Sequence, residues 1–417
     1  MPSQQLELKS DITNLFKDLE SIAKDTKVHA PHVPKIEQAD ITELFSGLNE
    51  AHEEAKIEVE LRLSLEEKNE LDFFKGSIKR IVSLQRLDGS ITWFENGIFD
   101  PWNHLESVMA LNILQYEEEK RIGFKYLRET QLDDGSWYGQ LGSDVEIDLI
   151  DGKFKGDEGN EKKIRDTNFS AYIATACWHD YLINQSLNSL REMWPTIENA
   201  IEFVLKYQSA NGEIRWAAKD VSAPDDDALI TGCCSIYKSL ECAINCASTL
   251  GIRKKNWKDS LIKLRNAIKN KPELFDRTWE SKDRFSMDWY YPILSGVVCG
   301  DEAEDKLKEK WDKFVVEGIG CKCVSDQPWV TVAETAELAI TLLKMGHQES
   351  AKEILSWSHK CRDSDGSYWM GKQYEKNVFW PAEKPPWTSA SVILAYDAIY
   401  KISKGSELFL INELRDS

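Results

Sequence analysis

Four times this chain ends an amphipathic run on a short turn centred on Asp-Gly or Asn-Gly and closed by a tryptophan. The stretches are QRLDGSITW from residue 85, QLDDGSW from 131, QSANGEIRW from 208 and RDSDGSYW from 362. Each part has a physical use. The leading Gln can satisfy backbone groups at the end of its helix, and the glycine accepts a positive φ that other residues resist. The Trp can cover a neighbouring helix end. Gly89 and Gly135 lie 46 residues apart, about the length of two helices and their turns. The turn therefore reads as a staple between helical hairpins, and hairpins stapled in series close into a ring of inner and outer helices. About seven such hairpins fit between Glu70 and Lys404.

From residue 70 onward, apolar residues recur at three- and four-residue intervals and strand-like alternation is nearly absent. IENAIEFVLKYQ (197–208), SIYKSLECAINCASTLG (235–251), DSLIKLRNAIKN (259–270), AETAELAITLLKMG (333–346) and SASVILAYDAIYKISKG (389–405) are examples, several of them stopping at a C-capping glycine. The predicted fold is all-α: an α/α toroid, an (α/α)6-type barrel of helical hairpins, over 69–417, preceded by a helical arm over 1–68. The arm has no Trp and echoes itself, DITNLF at 11 and DITELF at 40, where Asp11 and Asp40 can each cap a short helix. It is expected to pack on its own domain, with a second copy of the chain or another partner as the alternatives.

A net charge of −19 and a pI of about 5.0 argue against nucleic acid or an anionic membrane as partner. No apolar run reaches the ~20 residues of a membrane span, and the first residues do not read as a signal peptide. Nine cysteines follow no zinc spacing: Cys321 and Cys323 frame a lysine, and Cys299 with Asp301 lacks a matching histidine, since His347 and His359 fall on a helix and its end. They are expected to be reduced, buried thiols in a cytoplasmic protein. No metal and no cofactor are expected, and the partner expected is a small molecule.

The residues Gln131, Asp134, Gly135, Ser136 and Trp137 resemble the QW repeat of squalene and oxidosqualene cyclases, related to turns in protein prenyltransferase β subunits. Looser copies are Gln85, Asp88, Gly89 and Trp93; Gln208, Gly212 and Trp216; and Asp365, Gly366, Ser367 and Trp369, with Arg362 in the place of Gln. DPWNHLESVMALN, RDTNFSAYIATACWHDYL and MDWYYPILSGV look like prokaryotic proteins grouped as prenyltransferases on such repeats. The resemblance implies a toroid that handles an isoprenoid in an aromatic-lined cavity by acid catalysis. On it, Asp225 or Asp226 of APDDDALITG would be the proton donor, although Ala223 stands where the first acid of the cyclase motif belongs and Asp227 where its threonine does.

A second chemistry stays open beside it. Glycoside hydrolysis needs two carboxylates facing a cleft, with aromatic rings to stack on sugars. Acids set among aromatic residues are candidates: Asp100 and Glu106 near Trp102 and His104, Asp166 after Arg165, Asp288 before Trp289, Tyr290 and Tyr291, Asp326 near Trp329, and Glu334 with Glu337 one helical turn apart. Burial would raise the pKa of such an acid. The catalytic set is thus Asp225, Asp226, Asp288, Glu334, Glu337 and Asp166. The substrate wall is Trp102, His104, Trp289, Tyr290, Tyr291, Trp329 and Trp369. On the sugar reading, Asp288 should face Asp166, Glu334 or Glu337 across a cleft. A toroid that binds without catalysis is the third reading.

Overall fold

The computed structural model describes residues 72–95, 97–139, 141–142, 164–218 and 227–411. These all lie within one compact unit, 69–417. The arm assigned to 1–68 lies outside the described residues, as do Asp225 and Asp226.

Twelve α-helices run through the described residues: α1 (Lys75–Ser83), α2 (Pro101–Ile113), α3 (Glu117–Thr130), α4 (Thr167–Asn184), α5 (Leu187–Leu205), α6 (Ile230–Thr249), α7 (Lys255–Asn270), α8 (Ser286–Leu294), α9 (Asp301–Phe314), α10 (Val332–Lys344), α11 (Gln348–Ser358) and α12 (Pro386–Tyr400). The even-numbered helices pack side by side in the order α2–α4–α6–α8–α10–α12, and α12 returns to α2. Each has one odd-numbered helix outside it, and α1 packs on α12, so the first helix completes the last pair. The fold is an all-α toroid of six hairpins. The expectation of about seven is corrected, because long connections on one face take up the extra chain.

The two rings follow from two burial patterns. Outer helix α3 buries Lys120, Gly123, Phe124 and Leu127, one stripe at helical spacing. Inner helix α2 buries every residue from His104 to Ile113, as a helix packed on all sides must. Asp100 starts α2 by accepting Asn103 N at 2.9 Å, with Pro101 at the first helical position. All nine cysteines are free, and seven are buried. No helix among the described residues is long and apolar enough to cross a membrane.

The glycine-tryptophan turns join four of the six neighbouring pairs of outer helices. Gln131 Nε2 donates to Gly135 O within its own turn and to Thr196 O on α5, both at 2.9 Å. Gln85 reaches Glu119 O on α3 at 2.8 Å, and Gln208 reaches Ser260 O on α7 at 2.9 Å. In the fourth copy Arg362 donates to Phe73 O at 2.8 Å, just before α1. Each of these turns therefore docks on a neighbouring outer helix, and the last docks on the first. Trp137 serves its own hairpin: its Nε1 donates to Leu127 O on α3 at 3.0 Å. Close approach explains the glycines. Gly135 has φ +96°, and a Cβ there would sit 2.2 Å from Asn199 O.

Every strand among the described residues falls in a connection from an outer to an inner helix. The pairs are β1 (Ile98–Phe99) with β2 (Leu141–Gly142) and β3 (Arg165–Asp166) with β4 (Ala217–Ala218). A five-stranded antiparallel sheet runs β5 (Val315–Val316), β6 (Gly320–Lys322), β7 (Trp329–Thr331), β8 (Gly371–Gln373), β9 (Val378–Phe379). Strands of two or three residues are too short to show alternation in sequence. The inner-to-outer connections are short turns. Among the described residues the elaboration thus gathers on one face, where the inner helices begin, and that face carries the candidate site.

Candidate active site

The first turns of the inner helices bring acids to the mouth of the barrel. Asp166 is the N-cap of α4: its Oδ1 accepts Phe169 N at 3.0 Å. No basic side chain pairs with it among the described residues. Burial, with a smaller repulsion from Asp100, pushes its carboxyl up to about 7. It lines a cavity of about 200 Å³ between the starts of α4 and α6, together with Trp102, Phe169, Trp216 and Thr231.

Glu334 and Glu337 stand on α10, three steps from α4 in either direction around the ring, so they occupy the wall opposite Asp166. Glu334 lies in the first turn, near the Cys323 thiol, whose pKa burial first and then the Glu334 charge raise. Glu337, one turn deeper, accepts from both Tyr290 OH and Tyr291 OH, the latter at 2.9 Å. Burial raises Glu337 to about 8; the Tyr290 bond opposes this and the Glu334 charge adds to it.

Glu106 of α2 stands close enough to Glu337 for their charges to repel. Its Oε1 accepts Trp102 Nε1 at 2.9 Å and Tyr172 OH at a long 3.5 Å. Burial first, and then repulsion by Glu337, hold Glu106 well above the ordinary range. Trp102 of α2 packs on Tyr172 of α4 and, at 6.1 Å between ring centres, on Tyr291 of α8 across the ring. These rings join three of the inner helices, α2, α4 and α8, through aromatic contact.

Replacing Glu337 by Gln is expected to flatten the pH dependence of stability. The unfolded chain loses this proton near pH 4.5 and the folded chain near about 8, so in between the folded state alone holds it. Stability therefore falls as pH rises through that window and levels off above it. Glu337→Gln has no such proton, and its melting temperature should decline less between about pH 5 and about pH 8.5. A decline equal to that of the unaltered protein would show that Glu337 does not titrate there.

The remaining expected residues have other work. Asp288 on α8 accepts Thr231 N at 3.3 Å and the Thr231 hydroxyl, tying α8 to the first turn of α6 beside the cavity; burial raises it to about 6. It neighbours α10 rather than facing it, so the opposed walls carry Asp166 and the α10 pair. Asp100 is saturated by Asn103 and by Trp93 Nε1 at 2.8 Å, a structural cap although burial raises it to about 6. His104 is corrected from the substrate wall: fully buried, it accepts Ile91 N and faces Gly123 O at 3.1 Å, tying α2 to α3, and burial lowers its pKa to about 4. Trp289 is corrected too, since it turns outward to stack on Phe314 and donates to Lys306 O on α9. Trp329 donates to Trp380 O at 2.6 Å and Trp369 stacks on Phe379, both at the five-stranded sheet. Asp326 makes a fork with Arg284 at the surface. Asp227 of the acid trio is an ionised structural node. Burial alone would raise it, but bonds from Thr278 and Ala228 bring it below its usual value.

Tyr172, Asn168 and Trp216 were not singled out from sequence as site residues. Tyr172 and Asn168 sit in the apolar run of α4, where a functional polar group looks like a core one.

No family profile matches the sequence. The MMP endo-(1,4)-3-O-methyl-alpha-D-mannosidase of Mycolicibacterium hassiacum is 40% identical over 335 residues, 80% of this chain and 88% of that protein. Among solved structures, a glycosidase in complex with glucose superposes with a TM-score of 0.62 at 12% identity, covering 82% of this chain and 99% of that one. A D-mannose isomerase gives 0.56 at 13% identity, over 79% of this chain and 97% of its own. The structural likenesses establish the fold alone. The mannosidase relative overturns the kinship with terpenoid cyclases and prenyltransferases and the isoprenoid chemistry it implied; the stapled turns are a device of the toroid. The chain belongs to the family of the mycobacterial MMP endo-(1,4)-3-O-methyl-alpha-D-mannosidase.

Proposed function

We propose that this chain is a glycoside hydrolase that cleaves (1,4)-linked, O-methylated α-mannoside chains at internal bonds, as the name of its 40% identical relative suggests. The observation that carries the reading is Asp166, a carboxyl held at about 7 beside a cavity, on a helix three steps round the ring from the one that carries Glu334 and Glu337. Near neutral pH it can keep a proton to give.

Asp166 donates that proton to the glycosidic oxygen as the bond to the anomeric carbon breaks. Glu334, on the opposite wall, takes a proton from the water that attacks the anomeric carbon from the other side. Opposite helices in a ring of six lie on the order of 16–20 Å apart, axis to axis, for ordinary helix spacing. Side chains reaching inward from both leave room for a sugar and a water, which favours inversion over a covalent intermediate. Glu337 and Glu106 shape the floor and orient the ring above Trp102.

The test is incubation with a (1,4)-linked 3-O-methyl-α-mannose oligosaccharide, following product length by mass spectrometry and the first-formed anomer by proton NMR. Oligosaccharide products with β reducing ends are expected. Products with α ends would remove the inverting assignment, and no new reducing ends would remove the reading.

A further inference from the structure

Two of the six inner helices open with the same pair of residues. α2 begins Pro101-Trp102 and α12 begins Pro386-Trp387, with the proline at the first helical position in each. Inner helices of a closed ring repeat one another by rotation about its axis, so the second positions of their first turns point in equivalent directions. From that position Trp102 lines the cavity beside Asp166. α12 neighbours α2 on the side away from α4, which places Trp387 one helix spacing, about 8–10 Å, further round the mouth. The two indoles differ in what they have left to offer. The Trp102 N–H is spent on Glu106. That of Trp387 makes no hydrogen bond among the described residues, and it is not sealed from solvent as that of Trp216 is.

Trp387 is half-buried and meets Trp93 edge to face, with 5.2 Å between ring centres. Trp93 is held in turn by its bond to Asp100, the N-cap of α2. An edge-to-face pair leaves broad ring surface for a third partner. Charged groups gather beside it. Arg80 of α1 donates to Glu95, two residues past Trp93, and to Lys384 O at 2.8 Å, three residues before Trp387. Burial raises the Glu383 carboxyl; the Arg80 charge opposes this and the Glu95 charge adds to it, so the three groups stand together. Aromatic faces next to carboxylates match a pyranose, which has an apolar C–H face and a rim of hydroxyls that donate. Resting on the hydrolase reading above, we propose that Trp387 and Trp93 form a second sugar-binding subsite, which carries a unit of the glycan beyond the one being cleaved. The sugar stacks on Trp387, the indole N–H donates to an oxygen of the chain, and Glu95 and Glu383 accept from hydroxyls at its edge.

Two measurements on the full chain test it, and neither needs turnover. The first is calorimetric titration with a sulfur-linked analogue of the (1,4)-linked 3-O-methyl-α-mannose tetrasaccharide, which resists hydrolysis. Trp387→Ala should weaken binding by about 2–12-fold, the worth of one aromatic contact, and Trp387→Phe should recover most of the loss. Unchanged affinity in Trp387→Ala, or an equal loss in both variants, would overturn the subsite. The second follows indole N–H signals of the unaltered protein by ¹⁵N NMR. The signal that Trp387→Phe lacks should shift when the tetrasaccharide is added. A signal that stays in place while the sugar binds would overturn the subsite, whether or not Trp387→Ala folds. The two readings fail separately. A protein that binds through Trp387 but releases no reducing ends from the oxygen-linked chain loses the hydrolase reading and keeps the subsite. One that hydrolyses that chain while Trp387→Ala binds as tightly as before keeps the hydrolase reading and loses the subsite.

Discussion

Asp166→Asn should lower kcat on a glycan substrate by about 10²–10⁴-fold, the usual contribution of a general acid, while the melting temperature barely moves. The separation of the two effects follows from geometry. The Asn side-chain oxygen can still accept Phe169 N at the start of α4, and Asn and Asp are about equal as N-caps. What Asn cannot do is give up a proton. A substrate whose leaving group departs without protonation, such as an aryl glycoside of the same chain, should therefore lose far less. A variant that retains kcat on the natural linkage would exclude Asp166 as the donor. One that loses kcat equally on both substrates would make Asp166 a positioning residue.

Gly135→Ala is expected to be among the most damaging single methyls in the ring. The positive φ costs about 1–2 kcal/mol for a residue with a Cβ, and a Cβ placed 2.2 Å from Asn199 O adds an overpacking cost of about 1–3 kcal/mol. Gly346 supplies the control. It has φ +90°, but nothing lies within 4 Å of a Cβ built there, so Gly346→Ala carries only the backbone cost. Urea unfolding of the two variants should differ by the overpacking part, with Gly135→Ala the less stable. Equal losses would mean that the turn does not press on α5, and the stapling account would fail.

The frame was legible because its determinants are local. The Asp-Gly turns and the stripes of outer helices such as α3 are short-range patterns, and they specify hairpins without knowledge of what each packs on. Asp166, Glu334 and Glu337 could be named because charged groups amid aromatic residues stand out. Which of them face each other could not, since ring order is long-range. Trp289 shows the limit clearly. It follows Asp288 directly, but one helical step turns it about 100° toward α9, away from the cavity. His104 fails in the same way beside Trp102: Trp102 and Glu106, four apart, share the inner face, and His104 falls between them on the outer one. Tyr172 was hidden for a different reason. The inner helices are apolar all round, so a tyrosine that meets an active-site carboxyl looks like core. The cyclase resemblance misled because the turn it rests on reports how hairpins are joined and says nothing of the chemistry at the centre.

The staples seize backbone carbonyls of outer helices, whereas the mouth is furnished by side chains and by strands only two or three residues long. Backbone carbonyls are present whatever the sequence, so insertion, deletion and substitution around the opening can proceed with little mechanical penalty to the scaffold. Such a chassis lets natural selection, or an engineer, exchange the rim as a cassette.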